Sequence, residues 1–131
     1  IMNMAQCETF AGDPQKGMRL FEEILEAHSE TPHSADIVRF WKSIAAFVLN
    51  DPSASKATLK ETSRRTYLRN LMLAACHAAL GEQSEARIRA AAVLAEVPGL
   101  TVSGLGVLRC FRRAEDADKL RAAWRDAGVP E

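Results

Sequence analysis

The chain has 131 residues, 47% hydrophobic and 26% charged, with 17 Lys+Arg against 17 Asp+Glu. That length supports one domain with a real core. The zero net charge gives no general attraction to nucleic acid or anionic membrane. No apolar run reaches the ~20 residues of a membrane span, and no signal-peptide pattern opens the chain.

Along the chain, apolar residues recur at helical spacing, and no stretch alternates as a half-buried strand does. Met2 to Phe10 reads as the remainder of a helix, and Ile1, not a natural initiator, points to a fragment of a longer protein. Gly12–Pro14 punctuates. Asp13 suits an N-cap and Pro14 a first helical turn, ahead of a stripe of Met18, Phe21, Ile24 and Leu25.

Ser29–Asp36 reads as a loop with Ser34 as the next cap. The helix after it carries Ile37, Phe40, Trp41, Ile44, Phe47 and Val48. A short helix from Pro52 to about Ser63 has only Ala54, Ala57 and Leu59 as an apolar face. Tyr67 to Leu80 is helical with Gly81 as its stop, and Ser84 to Val97 follows, closed by Pro98–Gly99. Thr101 is expected to cap a short helix to Cys110, weakened by Gly104 and Gly106. A final helix, Glu115 to Ala127, buries Ala117, Leu120 and Trp124 before Gly128 and Pro130 end it.

Three turn signals sit inside helix pairs: Gly12, Asn50–Asp51 and Gly81. Gly12 and Gly81 are 69 residues apart, about twice a 34-residue helix–turn–helix period. One helix pair cannot bury its own apolar face, so pairs stack and share a core. Ala74, His77, Gly81, Ala86, Val93, Leu94 and Pro98 fall at the spacing of a tetratricopeptide repeat, and this unit resembles that family. Ala5, Gly12, Gly17, Phe21, Ile24 and Leu25 resemble a first unit, while the middle unit departs most. "PGLTV", Phe111–Arg112, the acidic start of the last helix and "AGVPE" resemble the C-terminal region of bacterial tetratricopeptide proteins. In those, the repeats follow a class III adenylate/guanylate cyclase or a winged-helix regulator domain.

The resemblance implies an all-α fold of antiparallel helix pairs stacked as a short right-handed superhelix, an α-solenoid. Helix pairs would occupy 1–99 and a C-terminal capping helix pair 100–131. It implies a protein-binding scaffold with a concave groove, its wall at Leu68, Leu71, Ala75 and Ala78. A charged residue at Leu71 is expected to abolish capture of the partner and leave helicity intact. Arg64, Arg65 and Arg69, or Arg109, Arg112 and Arg113, would steer an acidic protein or peptide segment; solvated helix faces are the plainer reading. Trp41 with Phe40, and Trp124, read as packing, or as partner anchors if exposed.

Catalysis is not expected. Cys76 and His77 are adjacent, so on a helix they point about 100° apart. Cys76 sits mid-helix among Leu and Ala, away from an activating charge, and His77 takes a large packing position of the repeat. His28 and His33 lack companion ligands. No Gly-rich phosphate loop, carboxylate pair or Ser–His–Asp order is visible. No cofactor or metal is expected. Cys7, Cys76 and Cys110 read as free thiols of a reducing cytoplasm. Self-association is the alternative function, through a helix face left uncovered near Met4, Phe10 and Met18.

Overall fold

The computed structural model describes residues 2–28, 32–63 and 66–131. It contains α1 (Met2–Ala11), α2 (Pro14–His28), α3 (Pro32–Val48), α4 (Pro52–Lys60), α5 (Tyr67–Ala79), α6 (Gln83–Glu96) and α7 (Ala114–Ala127). A single 3₁₀ turn, Gly106–Arg109, lies between α6 and α7. Among the described residues there is no strand.

The turn residues picked from sequence carry a common backbone device. Gly12, Asn50 and Gly81 all have positive φ, at 103°, 65° and 77°, and Gly128 joins them at 101°. Glycine adopts this left-handed conformation without a Cβ clash, and Asn tolerates it. At each of the four, the following residue reaches back five positions. Asp13 donates its N–H to the Glu8 carbonyl, Asp51 to Ala46, Glu82 to His77 and Val129 to Trp124, at 2.8–3.1 Å. This is the hydrogen bond of a Schellman stop, which satisfies helix-end carbonyls. Thus α1, α3, α5 and α7 end alike. After each of the first three the next helix starts two positions past the positive-φ residue, at Pro14, Pro52 or Gln83.

The short turns fold α1 onto α2, α3 onto α4 and α5 onto α6, while α2–α3 and α4–α5 contacts join the pairs. The odd-numbered helices also touch in succession, α1 to α3, α3 to α5 and α5 to α7. They form an inner layer. α7 reaches α3 as well as α5, and Lys119 Nζ on α7 donates to the Val48 carbonyl at 2.7 Å. The main core runs through α3, α4, α5, α6 and α7, with Leu59, Leu73, Val93, Leu120 and Trp124 all buried. A smaller cluster of Phe21, Ile24, Val38 and Ala45 joins α2 to α3.

Three local expectations are corrected. Helix α3 begins at Pro32, so Ser34 lies inside it rather than capping it. Helix α4 stops at Lys60, because the Asp36 carboxylate takes the Ser63 N–H and hydroxyl, at 3.2 and 2.9 Å. Its buried face is Ser55, Thr58 and Leu59, with Ala57 exposed. The Ser55 hydroxyl can be buried because it donates to the Ser43 carbonyl at 2.7 Å.

The third concerns 100–113, which is an irregular strap and not a helix, so the C-terminal part has one helix and no helix pair. The Thr101 hydroxyl closes only a turn onto the Gly104 N–H at 3.1 Å. The strap then crosses the inner layer, and Leu100, Leu105 and Val107 pack on the main core. At its far end the Arg112 N–H bonds the Phe10 carbonyl at 2.7 Å, meeting the free end of α1.

Candidate partner-binding cleft

The N-terminal halves of α3 and α5 stand apart, and an apolar cleft opens between them. Ile37, Phe40 and Trp41 come from α3, Leu59 from α4, and Leu68 from α5; Asp36, Thr62, Thr66 and Arg69 close its polar end. Its volume is about 270 Å³. That is just below the ~300–1,000 Å³ of pockets that enclose a drug-sized ligand. Ile37 is 43% exposed, Leu68 39%, and neighbouring Tyr67 37%. Ile37 and Leu68 leave large apolar surface open at the cleft, while Tyr67 lines the adjoining cavity with Leu105 and Val107.

The polar end is fixed. Asp36 is buried and holds Ser63, tying α3 to the segment after α4. Arg69 Nε donates to the Leu59 carbonyl at 3.2 Å and the Thr62 hydroxyl at 3.0 Å. Its guanidinium therefore serves the cleft wall. From the apolar side an aromatic series leads away. Phe40 meets Trp41 at 5.6 Å between centroids, Trp41 meets Phe10 at 5.7 Å, and Phe10 meets Phe111 of the strap at 4.8 Å. Such edge-on contacts add about 0.5–1.5 kcal/mol each beyond burial.

The structure distributes the residues singled out from sequence unevenly. Leu68 is in the cleft, but Leu71 is only 3% exposed and Ala75 is fully buried. Ala78 is half-buried against the core. Leu71 also lends its carbonyl to Trp124 Nε1 at 2.8 Å, beneath α7. A charge at Leu71 would therefore disrupt the core, so that residue cannot report on binding alone. Arg64 and Arg65 lie outside the described residues. In the second basic group Arg113 is engaged, pairing with Glu115 at 2.7 Å and donating to the Gly12 carbonyl at 3.4 Å, while Arg109 and Arg112 are exposed. Phe10 is partly covered by Trp41 and Phe111, and Met18 packs on the smaller cluster. The Met4, His28 and His33 side chains lie outside the description.

Ile37, a member of the α3 apolar stripe, and Tyr67, the first residue of α5, are exposed rather than core. The available signal was the width of the α3 stripe, which is broader than one buried face requires.

Cys76 and His77 part company as the helical geometry requires. The Cys76 thiol is buried and donates to the Ser55 hydroxyl at 3.2 Å. Burial pushes its pKa up to about 11, against smaller downward pulls from Ser55 and Lys56. His77 Nδ1 meets the Glu82 carboxylate at 2.9 Å, and Lys56 meets the same oxygen at 3.0 Å. Lys56 and then His77 hold the Glu82 carboxyl below the usual range. Among the described residues no group of three or more His, Cys, Asp or Glu could hold a metal.

Two results are expected for the thiol. In native protein at pH 8, a maleimide should label exposed Cys7 and Cys110 and leave Cys76 unmodified, read by intact mass. The folded state binds the Cys76 proton more tightly than the unfolded chain. Its contribution to stability is thus present below pH 9 and lost as pH rises from about 9 to 11. Equal labelling of all three native thiols would contradict this.

Compared with known proteins, the chain matches no family model, no curated protein and no solved structure. The class defined by fold and geometry is an all-helical protein whose described helices pack against one another around an apolar cleft. No described helix is long and apolar enough to cross a membrane.

Proposed function

We propose that this protein is a non-enzymatic, tetratricopeptide-like interaction module that captures a protein segment in the α3–α5 cleft. The observation that carries the reading is the joint exposure of Ile37 and Leu68 at a preformed apolar recess, with exposed Tyr67 on the adjoining cavity. The recess has room for one or two apolar side chains of a peptide, and its walls are locked by Asp36 and Arg69 before any partner arrives. Preorganisation of this kind reduces the ordering cost of binding. The repeated Schellman stops at Gly12, Asn50 and Gly81 support the repeat reading. A place in a larger cytoplasmic bacterial signalling or regulatory protein, with the cleft acting on an upstream domain's partner, rests on the tail resemblance.

Leu68→Glu tests this. At an exposed site it should change stability by no more than about 0.5 kcal/mol, while capture of the cellular partner falls at least tenfold. Undiminished capture would remove the cleft from the binding surface. Self-association is the second reading, favoured by one observation. The outer face of α6 exposes Ile88, at 60%, together with Ala91, Ala92 and Ala95. A rise in sedimentation coefficient with concentration, abolished by Ile88→Glu, is its signature.

A further inference from the structure

The strap has the properties of an internal occupant. Its ends are fastened: the Val102 N–H bonds the Pro130 carbonyl at 2.7 Å, and the Arg112 N–H bonds the Phe10 carbonyl at 2.7 Å. Between them Gly104, Leu105, Leu108 and Cys110 donate their N–H groups to carbonyls of the strap itself. Among the described residues, no hydrogen bond or ion pair links 104–110 to a helix. Among the described residues, the middle of the strap meets the helices through apolar packing of Leu105 and Val107.

That contact is incomplete. Leu100, Leu105 and Val107 form one wall of a cavity of about 360 Å³, whose other walls include Ile44, Leu71 and Met72. Phe40, Trp41 and Leu68 line both this cavity and the open cleft. The two spaces share these walls as one apolar track, with the chain's own segment over one end and no described residue over the other.

We propose that this track is the docking surface for an uncharged, turn-forming protein segment with large aliphatic residues spaced like Leu100, Leu105 and Val107, and that the strap occupies part of it as an internal stand-in. This rests on the cleft reading above and extends it to the surface under the strap. The occupant's chemistry follows from the segment already seated there: aliphatic anchors, small residues at Ser103, Gly104 and Gly106, and no charge before Arg109. An incoming segment enters at Leu68 and displaces Leu105 and Val107.

The probe is a fluorescein-labelled peptide of residues 100–111 carrying Cys110→Ser. It is titrated against wild-type protein and against a Leu105→Ser, Val107→Ser double variant, with buried Val102 and Leu108 untouched. The expected result is at least tenfold tighter binding to the variant, lost when Trp41→Ala is added. Equal binding to both proteins, or no binding to the variant, overturns the proposal. Hydrogen exchange on the wild type tests the strap without any variant. The Leu105 and Leu108 amides should exchange at least tenfold faster than those of Leu73 and Ala74 in α5; equal protection also overturns it. The Leu68→Glu experiment tests the cleft with the strap intact, so failure of either idea is read separately.

Discussion

Leu71→Asp is expected to leave the chain largely unfolded at 25 °C, with helical circular dichroism collapsing in parallel with loss of binding. Leu71 lies 3% exposed between α5 and α7, with Met72, Leu120 and Trp124 as neighbours in the core. Removing the leucine side chain costs about 2–5 kcal/mol, and an unpaired buried charge adds several more. The sum approaches the ~5–15 kcal/mol that keeps a whole domain folded. Leu71→Ala should remain folded, with its unfolding free energy from urea melts lowered by about 3 kcal/mol. A soluble, fully helical Leu71→Asp protein would show that α7 does not cover α5 in solution.

Trp124 gives the second large effect. Its ring is 1% exposed, and its indole N–H reaches across to the Leu71 carbonyl at 2.8 Å. Trp124→Ala should cost about 3–5 kcal/mol. Trp124→Phe keeps most of the apolar volume and drops the hydrogen bond, so about 1 kcal/mol is expected. The loss stays modest because the Leu71 carbonyl keeps its place within the helical hydrogen-bond ladder. Urea melts of the two variants separate packing from hydrogen bonding. Equal losses would mean that the indole N–H, rather than the ring's volume, anchors α7.

The helical framework was legible because its signals are local. Gly12, Asn50 and Gly81 punctuate the sequence, and each proves to be the left-handed residue of a helix stop. Asp13 also acts as expected, its carboxylate accepting the Lys16 N–H at 3.1 Å at the start of α2. What sequence left obscure depends on tertiary partners. Ser55 looks like a surface residue until the Ser43 carbonyl and the Cys76 thiol are placed beside it. The strap has no hydrophobic period, since Leu100, Leu105 and Val107 meet the core along an irregular path. Periodicity therefore reads it as a weak helix. The same strap, together with α7, explains why only Leu68 of the four expected groove-wall residues stands open. Leu71 and Ala75 face the core, and the exposed apolar surface lies at the start of α5, where α3 diverges.

The cleft reading treats one small surface as the site of partner capture, and photocrosslinking tests it most directly. Benzoylphenylalanine replaces Tyr67, next to the cleft residue Leu68 and on the wall of the adjoining cavity, or, as a control, exposed Glu96 on the outer helix α6. Irradiation in cells that make the protein should yield discrete protein adducts from position 67, lost when Trp41→Ala is added, and none from position 96. Adducts from position 96 alone, or the same adducts from both positions, would contradict it.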